Sequence, residues 1–218
     1  MSEIILMSDP KVAAIPTVEC DERLVDVRRA SSLLVDDRKQ RESADTFAYL
    51  REGVLDRLLA AEASLPLHLR LLLVEGYRPP SLQRRYFDEY AAKLRADHPE
   101  WPAEDVRSAA SRFVSPPEIA PHSAGAAVDL TLADADGHEL DLGTRMNATP
   151  EESAGACYTQ ATNITDKARS LRHFLSTALA HAGLVNYPTE WWHWSYGDRY
   201  WALMTTTATA HYGPKTLN

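Results

Sequence analysis

Three separated segments carry polar residues where the surrounding chain is apolar, and their residue types are those of metal-assisted hydrolysis. The first is Glu75-Gly76-Tyr77-Arg78-Pro79-Pro80, starting at the last residue of the run HLRLLLVE. The second runs from Pro121 and His122 through Gly125 to Asp129, and the third is Glu190-Trp191-Trp192-His193. Two histidines and one carboxylate are enough for a catalytic zinc site, because three protein ligands leave the fourth position open to water. His122, Asp129 and His193 supply that set. Gly125 lets the backbone fold back between His122 and Asp129, so that both side chains converge. Asp129 stands inside the apolar run AVDLTL, where a buried carboxylate must be coordinated or paired, an arginine being the alternative partner. His193, 64 residues after Asp129, could instead be a packed histidine among its tryptophans.

Glu190 precedes His193 by three residues. Beside an activated water, a glutamate is the usual general base for peptide hydrolysis. On a regular strand residues three apart face opposite sides. The assignment therefore requires Glu190 in a turn after Pro188, with only His193 in the strand; otherwise Glu190 is an exposed loop carboxylate. Arg78, held between an apolar run and two prolines, is placed to stabilise an oxyanion or a substrate carboxylate, or to make a structural ion pair. His68, His98, His138, His173, His181 and His211 fall in ordinary loop, turn, strand or helix positions. No Gly-x-Gly-x-x-Gly, Walker-type or Gly-x-Ser-x-Gly loop is present.

The elements that must position these groups follow from periodicity. Residues 1–45 read as an irregular arm with a short strand at 23–27. Apolar spacing predicts a helix from Thr46 to Ser64, with Asp45 as N-cap and Pro66 beyond its end. A buried strand follows at 68–75. Helices are expected at 81–96, opened by Pro79 and Pro80, and at 103–113. A loop then runs to Gly125, with a strand at 126–132 and a turn at 135–137. Residues 147–165 are small and polar, a long surface loop. A helix at 166–182, with Leu171, Phe174, Leu175 and Leu179 inward, stops at Gly183. The aromatic run 191–196 suits a strand. Residues 1–218 read as a single compact α+β domain, an antiparallel sheet with helices packed on it and the metal site in a cleft over the sheet.

The bulk composition agrees with a globular enzyme. The chain has 218 residues, 44% hydrophobic and 25% charged, long enough for one core. Its net charge of −8 argues against holding phosphate backbones or docking on anionic lipid. Neither nucleic acid, membrane nor an obligate protein partner is expected. Cys20 and Cys157 are too few for a disulfide scaffold and read as free thiols. The N-terminus lacks a basic n-region and a long apolar stretch, so the expected compartment is the cytoplasm.

GYRP at 76–79, HSAGAAVDL at 122–130, DLGT at 141–144 and EWWHW at 190–194 together resemble the VanX-like D-alanyl-D-alanine dipeptidases, zinc peptidases related to the VanY-type D-Ala-D-Ala carboxypeptidases. The resemblance covers most of the domain. It implies one zinc ion per chain held by His122, Asp129 and His193. It makes Glu190 the base that takes a proton from the activated water and passes it to the leaving amine, and Arg78 the group that stabilises charge on the scissile carbonyl oxygen. It places Tyr77, Asp141 and Asn147 at the substrate, a small peptide. Two departures touch substrate binding: Ala120 stands where the family often has Ser or Thr, and Asn147 where an Asp facing the substrate ammonium is expected. The implied activity is hydrolysis of D-Ala-D-Ala or a related short D-amino-acid peptide. A D,D-carboxypeptidase, another peptidoglycan-stem peptidase, and a non-catalytic metal- or peptide-binding relative are the alternatives.

Overall fold

Alternation along two central strands, broken once near the end of the first, decides which face is core and which carries chemistry. The computed structural model describes residues 4–40 and 45–217. Strands β4 (Leu69–Glu75) and β5 (Ala127–Asp134) pair antiparallel, with Leu71 opposite Leu132 and Leu73 opposite Leu130. These side chains point to one face and join the main core; Leu72 and Thr131, opposite each other, point to the other. The five-stranded sheet has the order β2-β4-β5-β7-β6, with β2 at Leu34–Val35, β6 at Val185–Asn186 and β7 at His193–Ser195. Pairing is antiparallel except that β2 runs parallel to β4. A separate two-stranded ribbon joins β1 (Leu24–Asp26) to β3 (Tyr49–Arg51).

Helices α3 (Glu52–Ser64) and α6 (Asp166–His181) pack on each other and on the apolar sheet face, burying Leu55, Leu58, Leu171, Leu175 and Leu179 with Leu71, Leu73, Val128 and Leu130. Each fully buried leucine contributes about 1.5–3 kcal/mol. Pro80 pre-sets the first turn of α4 (Pro80–Asp97), which pairs with α5 (Ala103–Ala110) around a smaller cluster of Phe87, Ala91, Val106 and Val114. Helix α7 (Arg199–Met204) is the last helix among the described residues and leads into the C-terminal tail.

Several local expectations change. The arm contains α1 (Pro10–Ala14), β1, α2 (Val27–Ala30) and β2; residues 1–3 and 41–44 of that arm lie outside the described residues. The helix expected from Thr46 begins at Glu52, because Leu50 is drawn into β3 and buried there by pairing with β1. Asp45 is left-handed (φ 68°) and caps nothing with its side chain, which accepts hydrogen bonds from Arg28 and Gln40 instead. Phe174 is exposed, lying at the edge of the stripe formed by Ala168, Leu171, Leu175 and Leu179. Cys20 and Cys157 are both free.

Candidate active site

The polar face of the sheet receives side chains from three places. Asp129 on β5 and His193 on β7 are Cα partners in an antiparallel register, so they emerge on the same face. Their neighbours Val128 and Trp194, also paired, point into the core. His122 comes from a short 3₁₀ turn, Pro121–Ala124, which Gly125 reverses with a left-handed φ of 66°. A Cβ at Gly125 would also meet Leu24 Cδ2 and push that side chain aside. The turn is braced from behind by the fully buried Arg51, whose Nε donates to the Ala124 carbonyl at 2.8 Å. Arg51 also holds Glu19 of the arm through two hydrogen bonds and Gly213 of the C-terminal tail through one.

His122 Nδ1 donates to the Gly76 carbonyl at 2.6 Å, which turns Nε2 toward the other two groups. Three donor atoms then meet: His193 Nδ1 to Asp129 Oδ1 is 3.0 Å, His122 Nε2 to His193 Nδ1 3.2 Å, and His122 Nε2 to Asp129 Oδ1 3.4 Å. Ligands at 2.0–2.1 Å from a tetrahedral zinc stand about 3.3–3.4 Å apart. A single proton can bridge only one of these contacts, whereas a cation between them satisfies all three. Each residue is 4% exposed. Burial opposes charge on Asp129, yet the two histidines hold its carboxyl below the usual range. Burial likewise depresses His193, which keeps it a neutral donor. His193 Nε2 is buried with no hydrogen-bond partner among the described residues.

Glu190 belongs to a turn. Its N–H donates to the Tyr187 carbonyl at 2.9 Å, and the His193 N–H donates to the Glu190 carbonyl at 3.2 Å before β7 begins. The tension over facing is thereby removed: Glu190 Oε2 lies 3.9 Å from His193 Nδ1, on the ligand side. Burial, reinforced by the charge of Asp129, pushes the Glu190 carboxyl well above the usual range, with Arg78 pulling the other way. Such a carboxylate is primed to take up a proton.

Arg78 is buried and gripped by Glu75, with Nε to Oε1 and Nη2 to Oε2 both at 2.7 Å. Glu75 holds the guanidinium charged and is itself kept ionised by Arg78 despite burial. Arg78, Asn147, Phe113, Ser115 and Tyr187 complete the wall around the ligand residues and Glu190, enclosing a pocket of about 30 Å³. Asn147 reaches it from the long loop in a left-handed conformation, φ 59°. Arg78, Phe113 and Asn147 also border an adjoining cavity of about 370 Å³ lined by Tyr86, Tyr90 and Val114.

Two other candidates lie elsewhere. Tyr77 is buried and its hydroxyl donates to the Lys215 carbonyl at 2.7 Å, tying down the C-terminal tail. Asp141 is exposed and accepts the Gly143 N–H in a local turn, beside a different groove. The wall residues Phe113, Ser115 and Tyr187 carried no spacing signal in sequence. His138 sits with Asp134 and Asp136 in an exposed turn.

A profile of the peptidase M15 family, D-Ala-D-Ala dipeptidase, matches residues 38–211. The chain belongs to this family. A D-alanyl-D-alanine dipeptidase of Synechocystis sp. is 30% identical over 179 residues, 70% of this chain and 71% of the relative. One from Escherichia coli is 33% identical over 72 residues, a third of each chain. Among solved structures, the vancomycin-resistance D,D-pentapeptidase VanY in complex with Zn(II) is 16% identical, spans 75% of this chain and 80% of that one, and superposes with a TM-score of 0.41. As a member of the D-Ala-D-Ala dipeptidase family the chain is a peptidase, and His122, Asp129, His193 and Glu190 lie within the matched span. Among the described residues no helix is long and apolar enough to cross a membrane.

Proposed function

We propose that the chain is a zinc-dependent peptidase, binding one Zn²⁺ through His122, Asp129 and His193 and hydrolysing D-Ala-D-Ala or a related short D-amino-acid peptide. The convergence of three buried ligand atoms at 3.0–3.4 Å beside a buried glutamate carries the reading. Zinc, when bound, supplies Lewis acidity toward a carbonyl and lowers the pKa of water. The chain's own residues do the rest. Glu190 takes one proton from the attacking water as its oxygen bonds to the carbonyl carbon. It returns that proton to the amine nitrogen as the C–N bond breaks, so the carboxylate is regenerated. Arg78, fixed by Glu75, offers its remaining N–H groups to the oxygen on which negative charge grows. The pocket's walls limit competing water.

A second reading is favoured by one observation: the cavity of about 370 Å³ beyond Arg78 and Asn147 leaves room for more than two residues. On that reading the substrate is a longer stem peptide and the activity a D,D-carboxypeptidase. Amine release from D-Ala-D-Ala, L-Ala-L-Ala and a stem pentapeptide ending in D-Ala-D-Ala, with zinc and after chelation, separates the two. Release from none of them with zinc present would refute both.

A further inference from the structure

We propose that Gln83, a residue no motif points to, is a positioning residue that sets the Arg78 guanidinium and the facing wall of the site. The inference rests on the peptidase reading, because it concerns what Arg78 does there. Gln83 lies in the first turns of α4, is 1% exposed, and uses both ends of its amide. Its Oε1 accepts from Arg78 Nη1 at 2.8 Å, and its Nε2 donates to the Ser115 carbonyl at 2.7 Å. Ser115 stands in the pocket wall with His122 and Glu190. Glu75, Arg78, Gln83 and Ser115 thus form one buried chain of hydrogen bonds that links the end of β4 to the loop after α5.

Counting donors shows what the amide contributes. A guanidinium has five N–H groups in a rigid fork. Glu75 takes one from Nε and one from Nη2, and Gln83 takes one from Nη1. Two remain, one on each terminal nitrogen. Glu75 grips the Nε–Nη2 side and the Tyr86 ring lies against the guanidinium, while Gln83 anchors the Nη1 side and so resists tilting of the whole fork. Preorganised donors are effective because they need no reorganisation as charge develops. An amide is needed: an apolar side chain supplies neither bond, and a carboxylate would accept from Arg78 but face the Ser115 carbonyl with a second acceptor.

Two experiments test this. Gln83→Met is nearly isosteric, so the fold and zinc content should be retained, while the unpaired Arg78 N–H and Ser115 carbonyl should lower Tm by several degrees. Its kcat should fall about tenfold to a hundredfold, less than for loss of a whole oxyanion donor, with KM changed by less than about twofold. Unchanged kcat in a folded, zinc-loaded variant would overturn the proposal, as would a loss confined to KM. The second experiment does not depend on turnover. In Arg78→Ala, millimolar guanidinium chloride should raise Tm relative to sodium chloride, by refilling the seat between Glu75 and Gln83. In Arg78→Ala/Gln83→Met that shift should shrink at least severalfold. Equal shifts, or none in the single variant, would sink the idea. If wild type cleaves no peptide while the Tm shifts behave as stated, it is the peptidase reading that fails and the seat that stands.

Discussion

Glu75 and Asp129 stand opposite each other across β4 and β5, although a regular strand would place Glu75 on the core face with Leu71 and Leu73. A shift in register between Leu73 and Glu75 takes Val74 into the core and turns Glu75 toward the site. Two carboxylates are thereby brought to one buried surface, and each is matched by its own cationic or metal-binding partners: Arg78 for Glu75, the two histidines for Asp129. Glu75→Gln leaves the buried Arg78 without its counter-charge. We expect a loss of about 3–5 kcal/mol in denaturant unfolding, with zinc content maintained. A variant as stable as wild type would show that the pair contributes nothing to the fold.

His122→Ala and His193→Ala should each abolish stoichiometric zinc binding and hydrolysis together. Metal analysis after dialysis is the direct check, and the zinc-induced rise in Tm should vanish in parallel. Full metal content with full activity in either variant would remove that residue from the ligand set.

Glu190→Gln should retain zinc and lose several orders of magnitude in kcat, since only the base is removed. Arg78→Ala should also keep zinc and lose about 10²–10³ in rate, the range for a single oxyanion donor. Turnover near wild type would exclude the corresponding role.

Asn147 borders both the reacting pocket and the larger cavity, and it is neutral. A carboxylate there would hold a free ammonium through a charge-assisted hydrogen bond, roughly twice as strong as a neutral one. Asn147→Asp should raise kcat/KM for free D-Ala-D-Ala about tenfold, roughly 1.4 kcal/mol, and leave an N-acylated substrate little changed. Equal effects on both substrates would mean that the residue only shapes its loop.

Asp198 caps α7 by accepting the Trp201 N–H at 2.8 Å and accepts from Ser195 Oγ at 3.0 Å, while Oδ2 is buried without a partner among the described residues. Burial pushes its carboxyl up to about 6 from the ordinary 3.8. Between those values the folded chain keeps a proton that the unfolded chain has lost. Its contribution is therefore fully present below about pH 4 and declines as pH rises to about 6. Asp198→Asn keeps the cap and removes the charge. Stability at pH 7 should rise by about 1–3 kcal/mol, and that part of the pH dependence should flatten. Parallel stability curves for the two proteins from pH 4 to 7 would contradict this.

Much of the site is legible in the chain itself, because its signals are local. An aspartate in an apolar strand, a glycine that reverses the chain after a histidine, and a glutamate two residues past a proline each express a backbone preference or a burial cost that neighbours alone impose. These single out His122, Asp129, Glu190 and His193, and alternation already separates the face of Asp129 from that of Val128 and Leu130. What the tertiary structure decided depends on register between distant segments, where a shift of one residue exchanges faces. The pairing of Asp129 with His193, the irregularity that delivers Glu75 to Arg78, and the reach of Gln83 to Ser115 are of this kind. So is the removal of Tyr77 and Asp141 from the pocket: one is claimed by the C-terminal tail and the other by its own turn, partners that nothing in their immediate sequence announces. Leu50 shows the same limit in the fold. It keeps helical spacing, yet pairing with β1 draws it into a strand, since a tertiary hydrogen-bond partner outweighs a propensity difference of a few tenths of a kcal/mol.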